Sequence, residues 1–302
     1  MTREELNQEK QQEIINEQRR NNRKKITLFI FYLSIGLICV FLLFYLYTTY
    51  ISTSRLVVKE NRIVDKNLPD SFNGLKVVHF SDLHYGTTVF SDEVKRLVAS
   101  INERKPDIVI FSGDLIDLSY KLNTSEQENL ITQLKKIDSS LGKYAVPGEE
   151  DSDLFYTIMK QSDFNVIENS YDFIYDNNNE PIMLIGLGNN SNDAINVKLF
   201  EQIDKLNKHI YKISVMHEPD VFDNLPKELS VNLALAGHTH NGMIRLPFIG
   251  SVYHPEGANK YIDEYYKIDS SHLYISSGIG TNGPGFRLFC RPSFNFFRIA
   301  NR

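Results

Sequence analysis

Between Lys25 and Arg55 the chain has no Asp, Glu, Lys or Arg, and Ile26–Tyr50 reads ITLFIFYLSIGLICVFLLFYLYTTY. A helix needs about 20 apolar residues to cross a bilayer core, and the core helix of a soluble domain rarely runs this long without a charge. A cleaved leader would have an apolar region of about 7–15 residues and a small-residue cleavage site, which the Thr48–Ser54 neighbourhood lacks. The run therefore predicts an uncleaved transmembrane helix over residues 26–50. Arg19, Arg20, Arg23, Lys24 and Lys25 crowd one flank, and no charge follows the other until Arg55. The positive-inside rule then puts residues 1–25, a polar arm, in the cytoplasm and the rest of a single-pass protein outside the cell membrane. Tyr45, Tyr47 and Tyr50 suit the outer interface.

Removing those 50 residues from a chain of 302 leaves enough sequence to bury one large core. Residues 1–25 carry seven Lys or Arg against five Glu, so the −5 of the whole chain becomes −7 for the remainder. An acidic body argues against nucleic acid as its partner, because phosphate-backbone binding normally shows as a basic patch. Two cysteines, Cys39 inside the apolar run and Cys290 far from it, exclude a disulfide framework and a cysteine-rich zinc site.

After a linker, residues 51–73, short apolar runs alternate with amphipathic stretches over 74–302. Leu75–Phe80 and Asp107–Ser112 read as buried strands. Further strands are expected at Tyr144–Val146, Asn165–Glu168, Tyr171–Tyr175, Ile182–Gly186, Lys212–Met216, Val231–Ala236, His272–Ser276 and Phe294–Ile299. Helices are expected at Asp92–Glu103 behind an N-cap at Ser91, at Glu126–Ile137 behind a Ser125–Glu128 capping box, near Ile195–Leu206 and near Pro219–Leu225. The order opens as β-α-β-α-β and closes strand-rich, which predicts a mixed-sheet α/β body.

In open α/β sheets, sites collect at the carboxyl ends of strands. Four expected strands here run directly into residues of metal-ligand type. Leu75–Phe80 meets Asp82 and His84, and Asp107–Ser112 meets Asp114, with Asp117 three further. Lys212–Met216 meets His217, and Val231–Ala236 meets His238 and His240. Carboxylate oxygen mixed with imidazole nitrogen suits Mn, Fe or Zn.

The succession Asp-x-His, Gly-Asp-x-x-Asp, a Pro-Gly turn, a lone His and Gly-His-Thr-His resembles the calcineurin-like metallophosphoesterases over about residues 70–300. The run LKVVHFSDLH and the tail with SSGIG, Arg287 and Arg291-Pro292 resemble the membrane-associated bacterial branch. The resemblance implies a four-layer α/β/β/α sandwich holding two divalent metal ions. Asp82, His84 and His240 would hold the first metal and His217 and His238 the second, with Asp114 bridging both. Two metals about 3.5–4 Å apart generate a hydroxide and neutralise the attacking and leaving oxygens of phosphoryl transfer.

The resemblance is imperfect at one turn. Where the family usually has Gly-Asn-His followed by Asp or Glu, this chain reads Gly148-Glu149-Glu150-Asp151. Glu149 then stands for a metal-ligating Asn. Glu150 stands for the His that faces the leaving group, a place where a carboxylate works only as a neutral proton donor. Asn241, Met243 and Ser293 also depart from the branch's usual residues. The catalytic candidates are thus Asp114 and Glu150. The metal candidates are Asp82, His84, Asp114, Glu149, His217, His238 and His240; Arg287 and Arg291 read equally as phosphate grips or as structural ion pairs, with Arg287 the substrate-binding candidate.

Other polar residues have simpler readings. His79 lies within a strand and reads as core, and His209, His254 and His272 read as surface. Asp117 reads equally as an orienting group or a surface carboxylate. Tyr261, Tyr265 and Tyr266 belong to an expected hairpin. Two functions follow: a membrane-anchored phosphoesterase, phosphodiester favoured, acting on a small-molecule or lipid-linked substrate; or a metal-containing pseudoenzyme that binds a phosphorylated ligand or partner without turnover.

Overall fold

The computed structural model describes residues 2–302 apart from 177–179, 189–192, 207–209, 254, 256 and 284, and it leaves the side chains of 5, 9 and 193–197 undescribed. Two units are distinguished, Met1–Thr48 and Thr49–Arg302. In the first, the polar arm and the apolar run form a single helix, α1 (Arg3–Leu46). Among the described residues it is the one helix long and apolar enough to cross a membrane. Within it the Thr27 and Ser34 hydroxyls donate to carbonyls four residues back, so neither needs a partner outside the helix.

The strands of the second unit have a buried centre, Ile108–Ser112, Ile182–Gly186 and Leu233–Ala236, covered on both faces as only a sheet packed on both sides allows. In chain order they are β1 (Val57–Val64), β2 (Leu75–Phe80), β3 (Ile108–Ser112), β4 (Gly142–Val146), β5 (Asn165–Val166), β6 (Ser170–Ile174) and β7 (Ile182–Gly186). There follow β8 (Lys212–Val215), β9 (Leu233–Ala236), β10 (Ile244–Leu246), β11 (Gly250–Tyr253), β12 (Tyr265–Ile268), β13 (Ser271–Ile275) and β14 (Ser293–Ala300). The helices are α2 (Ser91–Glu103), α3 (Thr124–Lys135), α4 (Asp153–Gln161) and α5 (Asp193–Asp204).

The strands make two six-stranded sheets, in the orders β1-β14-β2-β3-β4-β5 and β12-β13-β9-β8-β7-β6, plus the separate hairpin β10–β11. Three buried clusters define the layers. Phe80, Val109 and Phe111 of the first sheet meet Leu97 of α2, Leu134 of α3 and Phe155 of α4. Val77, Ile110 and Phe297 meet Leu184, Ile213 and Leu235 between the sheets. Ile185, Ala234 and Ile275 of the second sheet meet Leu199 and Ile203 of α5. That is the four-layer α/β/β/α sandwich.

Several local expectations need correction. The stretch 51–73 is not a plain linker: β1 lies in it and pairs in parallel with β14 from Val57↔Ser293 to Val64↔Ala300. Its central Lys59-Glu60-Asn61-Arg62 hides the strand from an apolar-run search, and an edge position tolerates those charges. Lys59 also bridges to Glu264 at 2.6 Å. Helix α3 is capped two residues earlier than expected: Asn123 Oδ1 accepts from Glu126 N while Glu126 Oε2 accepts from Asn123 N, each at 3.0 Å. Ser91 is the first residue of α2 rather than its cap, and Glu93 Oε2 accepts from Phe90 N. Pro219–Asn224 is a 3-10 turn, not an α-helix. His209 and His254 lie outside the described residues.

Candidate metal centre

Five of the seven expected ligands sit where a strand has ended and the backbone turns left-handed: φ is 51° at Asp82, 39° at His84, 59° at Asp114, 65° at His238 and 49° at His240. Side chains larger than glycine adopt that region at a cost, which structures retain mainly at functional sites. The turns aim the side chains from adjacent strand ends into one buried volume. Parallel pairing sets β2 beside β3 and β8 beside β9, so residues up to 158 positions apart (82 to 240) become neighbours.

All seven converge. Asp82, His84 and His240 present ligand atoms within 4.8 Å of one another, as do Glu149, His217 and His238, and as do Asp82, Asp114 and His217. His84 Nε2 faces His240 Nε2 at 3.2 Å, and His240 Nε2 lies 3.5 Å from Asp82 Oδ1. Glu149 reaches His217 Nε2 at 2.7 Å and His238 Nδ1 at 2.6 Å. Asp114 Oδ2 stands between the groups, 3.6 Å from His84 Nε2 and 3.3 Å from His217 Nε2.

The donor set fits divalent metal ions. His84 Nε2 and His240 Nε2 meet beside Asp82 Oδ1, and a divalent cation accepts such nitrogen and oxygen lone pairs together. His217 is already oriented for the purpose: its Nδ1 lies 2.6 Å from the Ser112 carbonyl and donates to it, leaving Nε2 with its lone pair towards Asp114 and Glu149.

Electrostatics follow from burial and these contacts. Burial raises Asp82, with His217 opposing and Asp114 adding to the rise. Burial would also raise Glu149, but its contacts with His217 and His238 outweigh that and hold the carboxyl well below its usual range. Asp151, the one residue of that turn after Gly148 that keeps the family's usual type, proves structural. Its Oδ2 accepts from the Asp114 and Gly148 amides and its Oδ1 from the Leu115 amide, tying the ends of β3 and β4 together. Burial and then the Asp114 charge push it up to about 7.

Two other expected site residues take unexpected places. Glu150 Oε2 lies 3.2 Å from His84 Nδ1, and Glu150 Oε1 accepts from Asn282 Nδ2 at 2.8 Å. Asn282 carried no sequence signal, since a lone Asn in a Gly-rich loop looks like any turn. Arg287, the substrate-binding candidate, is 0 % exposed. Its guanidinium donates to the carbonyls of Ser277, Gly278 and Gly280 and contacts His240 Nδ1 at 3.3 Å, so it braces the loop behind His240 instead. Asp117 clusters with His84 and Glu150. His79 is core, as read: its Nε2 meets Ser112 Oγ at 2.8 Å, and burial lowers it to about 3. His272 contacts the Tyr265 hydroxyl and Lys267 Nζ.

Gly113 shows how tightly the centre is built. Its φ is +92°, and an added Cβ would lie 2.5 Å from Gly148 N and 2.6 Å from His217 Nδ1. Gly113→Ala is expected to lower stability by at least about 1–2 kcal/mol from the backbone conformation alone and to displace His217. Thermal unfolding and the metal content of the purified variant check both effects.

A buried dimetal-type ligand set at the strand ends of an α/β/β/α sandwich is the arrangement of a metal-dependent phosphoesterase. The calcineurin-like phosphoesterase profile matches residues 75–242, more than half of the chain, and the chain belongs to that family. The family uses divalent metals. Among relatives, the metallophosphoesterase YkuE of Bacillus subtilis is 28% identical over 85% of this chain and 90% of its own length. Phosphodiesterase YaeI of Escherichia coli is 24% identical over 76% of this chain and 84% of its own. A transmembrane protein with a metallophosphoesterase domain from Danio rerio is 25% identical over 75% of this chain and 53% of its own.

Proposed function

We propose that this protein is a membrane-anchored, metal-dependent phosphodiesterase whose body lies outside the membrane and whose N-terminus is cytoplasmic. The observation that carries the chemical reading is Asp114 Oδ2, which faces His84 of one ligand group and His217 of the other within 3.6 Å. Asp82, His84 and His240 would hold one ion, Glu149, His217 and His238 the other, with Asp114 shared. Bound there, two divalent ions supply Lewis acidity towards a phosphoryl group and a nucleophile from water at neutral pH.

The chain's own residues fix the geometry around that chemistry. The Ser112 carbonyl sets the His217 tautomer, the Glu150 amide donates to Asp114 Oδ1 at 3.1 Å, and the His238 amide donates to Asp82 Oδ1 at 3.0 Å. Glu150, engaged with His84 and Asn282, acts as a positioning residue and not as the leaving group's proton donor. The centre is also rich in negative charge, because Asp117 and Glu150 stand beside His84 in addition to the three carboxylate ligands. Repulsion grows with substrate charge, which favours a diester monoanion over a monoester dianion. The name of the Escherichia coli relative agrees with that preference, and the name of the Danio rerio relative agrees with the anchor.

The full-length protein in detergent should hydrolyse a chromogenic phosphodiester when Mn(II) is added, faster than the matching monoester. Equal rates with Mn(II) and with chelator would refute the enzyme reading. Glu150→Gln is expected to weaken metal binding by about 10–100-fold, the usual effect of losing a carboxylate behind a ligating histidine, as read by titration calorimetry.

The engagement of Glu150 also favours a second reading, a pseudoenzyme that binds a phosphorylated ligand without turnover. Glu150→His separates the two. A silent protein that gains a large rate is a weakened descendant, while an active protein that gains nothing is an enzyme working without a histidine there.

A further inference from the structure

The hairpin β10–β11 grows directly out of the metal-ligand loop: three residues separate His240 from the body of β10, and Arg245 N donates to the Leu288 carbonyl at 2.9 Å. Its tip, Pro247-Phe248-Ile249, does not fold back on the body. Phe248 is 108 % and Ile249 71 % exposed, and Val252, Tyr253 and, on the segment beside the hairpin, Phe289 are exposed as well. Large apolar side chains exposed from the tip of one hairpin down to its base mark an interaction surface rather than ordinary surface wear. Arg245, bridged to Asp263 at 2.7 Å, is the only charged residue in Ile244–Tyr253, and exposed Arg291 follows Phe289 two positions on. In a chain of net charge −5, this corner sets exposed apolar side chains beside Arg245, whose charge Asp263 balances, and the exposed Arg291.

We infer that the Phe248–Ile249 tip of the β10–β11 hairpin inserts into the interfacial layer of the lipid bilayer, resting the metal centre against the headgroups. Aromatic and aliphatic tips with flanking cations are the chemistry that an anionic bilayer surface accepts. A bilayer is favoured over a protein partner because the same chain carries the charge-free run Ile26–Tyr50, which ends fewer than ten residues before β1. A short tether gives the hairpin a high effective concentration at the membrane without requiring strong intrinsic affinity. The inference rests on the anchoring proposed above and narrows the substrate to phosphate esters presented at a bilayer surface.

The chain contains no tryptophan, so Phe248→Trp introduces a single fluorescent probe at the tip. The full-length variant is reconstituted in vesicles of phosphatidylcholine and phosphatidylglycerol, with and without brominated acyl chains. Tyr175→Trp, at an exposed position just after β6, an edge strand of the second sheet, is the reference. Flotation with the vesicles tests the anchor separately. Emission from the Phe248→Trp protein is expected to shift to shorter wavelength and, for an indole within the acyl boundary, to be quenched at least about twofold more by brominated lipid than emission from the Tyr175→Trp protein. If the protein floats and the two probes are quenched alike, the hairpin inference is overturned and the anchor stands. If the protein does not float, both fall.

Discussion

Asp114→Asn is expected to reduce Mn(II)-dependent phosphodiester hydrolysis by at least about a thousandfold and to lower the metal content of the protein. The substitution keeps size and shape but withdraws the charge from a carboxylate whose Oδ2 faces both ligand groups. Loss of a single electrostatic contact to a transition state already costs about 10²–10³ in rate, and here one change weakens both halves of the centre. The fold should survive. The Asp114 charge pushes up the neighbouring Asp82 and Asp151 carboxyls, so with chelator present, removing it relieves repulsion, and Asp114→Asn should melt no lower than the parent. With Mn(II) present the order reverses, because the parent gains more from the ions. A variant that retains its rate, or that unfolds equally with and without metal, contradicts the assignment of Asp114 as the shared ligand.

Arg287→Ala is expected to destabilise the second unit by about 3 kcal/mol while leaving KM for the diester unchanged. The guanidinium is fully buried and spends its donors on the Ser277, Gly278 and Gly280 carbonyls. Hydrogen bonds to a charged group contribute roughly 1.5–3 kcal/mol each, and relief of the desolvation penalty of the buried guanidinium offsets much of their sum. For a unit of this size the melting temperature should fall by roughly 6–12 °C. The loss should also loosen the metal site, since the Ile279 and Gly280 amides of the same loop donate to the Asp82 carbonyl at 3.1 and 2.8 Å. Arg287→Lys rescues little, because one ammonium cannot span carbonyls that a planar fork reaches together. A phosphate-gripping arginine would behave in the opposite way, raising KM several-fold with the melting temperature unmoved.

The strands β2, β3, β8 and β9 were legible because each is an apolar run with an abrupt polar end, and that end is where an open sheet places its site. The ligand types were legible for the same reason, and the family resemblance supplied their grouping. Strand β1 was not legible, since Lys59, Glu60, Asn61 and Arg62 interrupt the apolar signal and its pairing with β14 is set more than two hundred residues away. The hairpin β10–β11 was missed because its residues face solvent and bear no periodic core pattern. Asn282 and the bracing role of Arg287 had no local signal at all.

Local chemistry, written in the order of residues, determined the apolar span, the α/β alternation and which side chains can bind metal, because backbone preference and ligand type depend on little beyond the residue and its near neighbours. Tertiary structure decided what each of those groups touches. It turned Glu150 towards His84, sealed Arg287 behind His240 and left Phe248 in the open, because contacts between distant segments depend on how strands register and helices pack, and no stretch of sequence carries that alone.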